Sequence, residues 1–200
     1  MHNLETPTFK LVLYGAHSSL GSALLAEALH RQYEATAILT ELNSVRARPG
    51  LRTKGGELFD PIGVSQSVAG MDAVIALLDA GQPPGDFSQH FNALLALLDG
   101  LETAGVPRLL VVDDFDWMNG EPTPDSPVHH LEERLLASPV SWTLAQAPEQ
   151  PSRLLEIDDF RQPDTTALPL QRFAIALLDE MRLALHRHQR IHIDLHGGKG

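Results

Sequence analysis

The chain has 200 residues, of which 43% are hydrophobic, and it carries a formal charge of −11 and no cysteine. This length suits one ordinary domain with a sizeable core. The lack of cysteine excludes disulfides, thiol catalysis and cysteine-ligated zinc, and the acidic balance disfavours nucleic acid as a partner. No apolar run reaches the roughly 18 residues of a membrane span, and the first residues lack a signal-peptide pattern. We therefore expect a cytoplasmic protein that binds neither nucleic acid nor membrane.

The first element along the chain is an apolar strand that runs into a glycine turn. Residues 11–14 (LVLY) precede Gly15, and a segment with apolar residues at helical spacing follows Gly21. Strand, glycine turn and helix in this order form the context of the dinucleotide-binding fingerprint. Ser18 stands where the middle glycine of that fingerprint is expected. The sequence therefore predicts a dinucleotide-binding loop whose affinity is weakened or lost.

Strand-like and helix-like segments alternate beyond this turn. The further predicted strands are Glu34–Thr40, a short strand within Leu51–Phe59, Asp72–Leu78, Arg108–Val112 and Val140–Ala145. The predicted helices are Gly21–Gln32, Val64–Ala69, Asp86–Ala104, Val128–Ala137 and Gln171–His186, and the tail Arg190–Leu195 alternates like an edge strand. Such alternation is typical of a parallel sheet with helices on both faces. We predict a single Rossmann-like, doubly wound α/β domain, with its core at 9–146 and a smaller, irregular substrate-side region at 147–200.

The order of five segments resembles a known family. They are GAHSSLG (15–21), DAVIALL (72–78), FNALLALLDGLETAGVPRLLVV (91–112), SWTLA (141–145) and FAIALLDEM (173–181). In these segments the chain resembles the NAD(P)H-binding atypical short-chain dehydrogenase/reductase proteins, and among them the NmrA-like and flavin-reductase-like members. The resemblance implies a Rossmann-like fold, an NAD(P) cofactor and an oxidoreductase function.

The resemblance also implies which residues hold the cofactor. Gly15, Ala16, Ser18, Leu20 and Gly21 correspond to the turn beneath the pyrophosphate. The residues that correspond to the adenosine and ribose contacts are Thr40, Arg46, Glu57, Leu58, Leu77 and Leu78. No arginine directly follows the second strand, but Arg46 or Arg48 a few residues later can clamp a 2′-phosphate, which favours NADP over NAD.

The catalytic set of ordinary members of this superfamily is missing. That set comprises a serine or threonine and a Tyr-x-x-x-Lys pair, whereas the two tyrosines here, Tyr14 and Tyr33, have no lysine four residues later. Asp113 and Asp114 stand in the position of the family's serine. We therefore expect no tyrosine acid, and hydride would pass directly from the nicotinamide to a stacked acceptor ring.

Polar residues that follow the fifth strand are the candidates for the reaction pocket. Asp113, Asp114 and His129 are the candidate catalytic residues. A solvated loop remains the alternative for the two acids, and a surface pair with His130 remains the alternative for His129. Four histidines in the tail, at positions 186, 188, 192 and 196, lack accompanying ligands at metal-site spacing. No metal site is predicted.

Two functions are consistent with these residues. The first is an NAD(P)H-dependent reductase of a flavin, a quinone or a similar flat redox acceptor. The alternative is a non-catalytic, dinucleotide-binding redox sensor or regulatory protein that acts on a protein partner. The family resemblance favours the first, whereas the missing tyrosine, lysine and middle glycine favour the second. The oligomeric state is open, with a homodimer as one alternative.

Overall fold

Seven parallel strands form one sheet in the computed structural model, which describes residues 8–78, 87–119 and 123–195. The strands are β1 (Lys10–Tyr14), β2 (Glu34–Leu39), β3 (Leu51–Gly55), β4 (Ala73–Leu77), β5 (Arg108–Asp113), β6 (Ser141–Gln146) and β7 (Gln189–Ile191). Their order in the sheet is β3-β2-β1-β4-β5-β6-β7. The direction of winding reverses between β1 and β4, and this arrangement confirms the predicted Rossmann-like α/β fold.

The central strands are apolar because both of their faces are covered. Every residue of β4 (AVIAL) and of β5 (RLLVVD) is buried, as expected for parallel strands between two helical layers. The third strand, predicted within Leu51–Phe59, occupies only the first part of that segment and ends at Gly55. The predicted edge strand in the tail consists of three residues that pair in parallel with β6.

Among the described residues, five α-helices cover the two faces of the sheet. They are α1 (Ser19–His30), α2 (Pro61–Val68), α3 (Phe87–Ala104), α4 (Pro127–Ala137) and α5 (Leu168–Leu183). Helices α1 and α5 pack over one apolar core, and α2, α3 and α4 pack over the other. Helix α2 begins three residues before its predicted start because the Asp60 carboxylate caps the amides of Ile62 and Gly63, and proline is favoured in a first helical turn. Within the described ranges, no helix has the length and apolarity needed to span a membrane.

The region after β6 is tied back onto the core by polar contacts. The Ser19 hydroxyl, at the start of α1, accepts a hydrogen bond from the Leu155 amide at 2.9 Å. At the amino-terminal end of β5, the guanidinium of Arg108 forms a buried ion pair with Glu180 of α5 at 3.1 Å. The segment 153–155 therefore crosses the first turn of α1, next to the glycine turn.

Candidate functional site

A cavity of about 390 Å³ opens at the carboxyl ends of β1, β2, β3 and β4. Ligands of open α/β sheets bind at this edge, where the strand order reverses. The cavity brings together six of the predicted cofactor residues: Gly15, Thr40, Glu57, Leu58, Leu77 and Leu78. Helix α3 adds Gln89, His90 and Ala93 to its lining. A volume of this size lies in the usual range for small-molecule sites.

The glycine turn at the floor of this cavity keeps two of the three glycine roles. Gly15 has a φ of +83°, in the left-handed region that favours glycine. A Cβ on Gly21 would lie 2.4 Å from the Gly15 carbonyl oxygen and 2.8 Å from the Ala16 Cα. Gly21 is thus the glycine that permits close approach of helix and strand. Ala16 and Leu20, also predicted here, are buried beside this contact.

Ser18 performs a capping role in place of the middle glycine. Its hydroxyl oxygen accepts a hydrogen bond from the Gly21 amide at 3.0 Å and donates one to the Gly15 carbonyl at 2.9 Å. Ser18 is therefore the N-cap of α1, a position where serine is strongly preferred. The Ser18 side chain thus accepts the hydrogen bond of the Gly21 amide, which would otherwise be available to a phosphate.

Other backbone donors at the turn remain for an anion. Within the part of the chain that the structure describes, the amides of Ala16, His17, Ser19 and Leu20 have no hydrogen-bond acceptor. The N-terminus of a helix such as α1 carries partial positive charge, and unpaired amides at that end bind phosphate groups. The residues present therefore fit the pyrophosphate of a dinucleotide.

Replacing Ser18 by glycine should preserve or tighten dinucleotide binding. The change frees the Gly21 amide for a phosphate oxygen, and glycine in place of a serine cap costs only a few tenths of a kcal/mol. Equilibrium titration with NADPH would measure the effect, with Ser18→Ala as the matched variant that frees the same amide but keeps a Cβ. Binding several-fold weaker in Ser18→Gly than in the parent would contradict this placement of the loop.

The two arginines of the loop after β2 differ in their contacts and in their exposure to solvent. Arg48 makes a two-pronged ion pair with the Asp158 carboxylate, at 2.8 and 2.7 Å. This guanidinium, together with the charges of Arg161 and Arg46, lowers the pKa of Asp158 to about 2. The Arg48 side chain also lines a second cavity, of about 640 Å³, between α1 and α5 and away from the strand ends. Arg46, the cofactor residue predicted in this loop, is exposed and is not among the residues that line the cavity at the strand ends.

His90 is the residue of this site that the sequence reasoning missed. It lines the cavity from α3 with only 5% of its surface exposed. Its Nδ1 lies 2.6 Å from Oδ2 of Asp113, and the Trp117 indole donates a hydrogen bond to the same oxygen at 2.7 Å. Asp113 is fully buried at the end of β5. The predicted Asp113 therefore does not line the cavity itself but contacts His90, which does.

The other two candidate catalytic residues lie elsewhere. Asp114 is exposed and its Oδ1 accepts a hydrogen bond from the Asp116 amide at 3.0 Å, which shapes the loop after β5. His129 is half-buried on α4, and its Nε2 lies 3.4 Å from the Glu133 carboxylate. The structure thus does not bring the three candidates together, and catalytic roles for Asp114 and His129 stay predictions. Of the tail histidines, His196 lies outside the described residues.

Tyr14 lines the cavity from the end of β1 and is buried. Burial raises the pKa of Tyr14 to about 12, and the neighbouring Ser67 offsets part of the effect. In a Tyr33→Phe variant, where Tyr14 is the sole tyrosine, tyrosinate absorbance should titrate near pH 12 in the folded protein and near 10 in urea. The neutral phenol thus stabilises the fold fully below pH 10, and this contribution is lost as pH rises through 12. A folded-state midpoint near 10 would contradict the burial.

Comparison with known proteins agrees with this geometry. The NAD(P)H-binding family matches residues 15–147. The comparison with curated proteins gives no match. A Streptococcus pneumoniae protein provisionally named an NADH-flavin reductase is 20% identical, with a TM-score of 0.60 over 92% of this chain and 98% of its own.

Two further solved structures share the fold. ChuY, an anaerobillin reductase from Escherichia coli O157:H7, is 14% identical, with a TM-score of 0.62 over 96% of this chain and 99% of its own. The Bordetella bronchiseptica enzyme WbmH, solved with NAD⁺, is 14% identical, with a TM-score of 0.66 over 94% of this chain and 76% of its own. The family match covers more than half of the chain, from the glycine turn to the end of β6, and the chain belongs to the NAD(P)H-binding family.

Proposed function

We propose that the protein is an NAD(P)H-dependent reductase that passes hydride directly to a flavin, a quinone or a similar flat acceptor. The observation that carries this proposal is the cavity at the carboxyl ends of β1 to β4. It begins at the glycine turn, whose unpaired amides suit a pyrophosphate, and it reaches the imidazole of His90, which is held by Asp113. One cavity therefore offers both a phosphate end and a reaction end.

The chain's own residues supply position and exclusion of water at this site. The nicotinamide, when bound, supplies the hydride. Leu77 and Leu78 form an apolar wall of the cavity at the end of β4, and a flat ring can stack against this wall. Direct transfer between stacked rings depends on their alignment, and it does not require the tyrosine acid that the sequence lacks. Tyr14 is a poor substitute, because burial raises the pKa of its phenol to about 12 and so makes it a weaker proton donor.

Arg46 supports NADP as the preferred cofactor. It follows Thr40, which lines the cavity at the end of β2, and it is exposed, whereas Arg48 is paired with Asp158. A 2′-phosphate at this end of the cavity would gain a charged partner that NAD does not use. The reductase names of two similar structures, for a flavin and for anaerobillin, support a flat acceptor. Neither a nucleic acid nor a membrane is needed as a partner.

A turnover assay tests this proposal. Oxidation of NADPH and of NADH is followed spectroscopically in the presence of FMN, menadione or no acceptor, with binding of each nucleotide measured in parallel. We expect acceptor-dependent oxidation that is faster with NADPH at low nucleotide concentration. Binding without turnover on any acceptor would contradict the proposal and would favour the alternative function, a dinucleotide-binding sensor that acts on a protein partner.

A further inference from the structure

The reaction end of the cavity contains a polar arrangement that the expected chemistry does not use. His90 and Asp113 lie on adjacent elements, α3 and β5, and their side chains are 6% and 0% exposed. The Asp113 carboxylate accepts from Trp117 as well as contacting Nδ1 of His90, and the two rings lie 5.7 Å apart. A buried carboxylate beside an imidazole fixes the tautomer and orientation of the ring, and it stabilises the protonated imidazole.

The position of His90, the member of the pair that lines the cavity, distinguishes the two ends of that cavity. Thr40 and Glu57 follow β2 and β3, so they mark the end expected to hold the adenosine. His90 is bound to the last residue of β5, on the far side of β4 from β1. The nicotinamide of a dinucleotide that lies across the switch point would therefore extend toward His90.

We propose that His90 is the general acid of the reduction and that Asp113 is its positioning residue. This inference rests on the proposed reductase function and names a role that the missing Tyr-x-x-x-Lys pair leaves vacant. With Nδ1 directed at Asp113, Nε2 is the ring nitrogen on the opposite side of the imidazole. Nε2 gives its proton to the acceptor.

The proton and electron balance of the step is simple. When bound, the reduced nicotinamide would supply a hydride, so the acceptor would gain two electrons, a new bond to hydrogen and negative charge. The Nε2–H bond of protonated His90 would break, and its proton would neutralise that charge. The acceptor would then be reduced by two electrons, the nicotinamide would be oxidised, and the neutral imidazole would take a proton from water. The Asp113 carboxylate orients the ring and stabilises the imidazolium before transfer.

His90→Gln should test the acid role with menadione as the acceptor and NADPH as the donor. General acid catalysis contributes about 10²–10⁴-fold, so we expect kcat to fall by at least about 100-fold while the Kd for NADPH changes less than about threefold. In the parent, kcat should decline with rising pH, as expected for a reaction that consumes a proton from a general acid, and this decline should be absent in the variant. Exogenous imidazole should restore part of the rate in His90→Ala.

Several controls separate this role from a structural one. His30→Gln, on the exposed end of α1, should retain parental kcat and the parental pH profile. Asp113→Asn should lower kcat and shift the pH profile while keeping NADPH binding, and circular dichroism should confirm that each variant is folded. The other ionisable groups that line the described cavity are Tyr14, His17 and Glu57.

The outcomes are distinguishable from failure of the reductase proposal. A parent without acceptor-dependent turnover would overturn both proposals. A parent with turnover, together with a His90→Gln variant within threefold of its kcat and with the same pH profile, would overturn the acid role alone. Should His90→Gln or Asp113→Asn fail to fold, the pH profile of His90→Asn and the imidazole rescue of His90→Ala decide the question in the same way.

Discussion

Replacing Gly21 by alanine should weaken NADPH binding on the order of 100-fold. The added Cβ would lie 2.4 Å from the Gly15 carbonyl oxygen and 2.8 Å from the Ala16 backbone, closer than any real contact of this kind. The first turn of α1 must therefore move away from the strand, and it carries the amides of Ser19 and Leu20 with it. Each lost hydrogen bond to a charged phosphate costs about 1.5 kcal/mol or more, and about 3 kcal/mol for two of them corresponds to about 100-fold in Kd.

Gly55→Ala is the matched control for this variant. A Cβ on Gly55 meets only the Leu42 side chain, at 3.9 Å, and the backbone there needs no left-handed conformation. We expect parental binding in this control and a normal far-ultraviolet spectrum in both variants. Overpacking at Gly21 should also lower stability by about 1–3 kcal/mol. Parental affinity in a folded Gly21→Ala protein would show that dinucleotide does not use this turn.

Replacing Glu180 by leucine should lower the free energy of unfolding by about 3–5 kcal/mol, the usual cost of leaving one member of a buried ion pair alone. The Arg108 side chain is 7% exposed and donates to Glu180 and to the Ser141 carbonyl. The Glu180 carboxylate also accepts from the His186 amide at 2.9 Å. The variant therefore leaves the buried Arg108 guanidinium without its ion-pair partner. It also removes the acceptor that holds the His186 amide after α5. Urea unfolding would measure the effect.

The pH dependence of this stabilisation has a defined sign. Burial raises the pKa of Glu180, but its contacts with His186 and Arg108 outweigh this and lower the pKa overall. A depressed folded-state pKa stabilises the protein above the unfolded value and loses that contribution as pH falls through the folded value. The difference between parent and variant should therefore be full at neutral pH and should shrink in acid.

Two comparisons show whether the stability lost in Glu180→Leu comes from breaking the buried ion pair. Asp99→Ala breaks an exposed pair with Arg134 and should change stability by only about 0–1 kcal/mol. The double variant Arg108→Met with Glu180→Leu removes both buried charges, and it should recover much of the loss. Equal losses for Glu180→Leu and Asp99→Ala would contradict the importance of the buried pair.

The fold was predictable because its signals are local and repeated. Fully apolar runs such as DAVIALL and RLLVV are buried strands at β4 and β5, and the helices between them carry apolar residues at regular spacing. The element ends were less predictable. The start of α2 depends on the cap made by Asp60 and Pro61, and the short β7 depends on pairing with β6 rather than on its own sequence.

The candidate site was only partly predictable, because it combines residues that are far apart in the chain. Residues that directly follow strands, such as Thr40 and Leu78, line the cavity as the strand-end rule implies. His90 was missed because it takes one of the buried positions in the apolar helix α3, where a histidine looks like a core residue. Its significance comes from Asp113, which is 23 residues later. Only the packing of α3 on β5 makes the pair visible.

The location of the nucleotide tests the central claim most directly. Amide chemical shifts of the labelled full-length protein are recorded by NMR during titration with NADPH and with NADH. We expect saturable shifts at Gly15, His17, Ser19, Leu78 and His90, with little change at Phe160 and Ile175 in the cavity between α1 and α5. Shifts confined to that second cavity, or none with either nucleotide at millimolar concentration, would contradict a dinucleotide site at the carboxyl ends of β1 to β4.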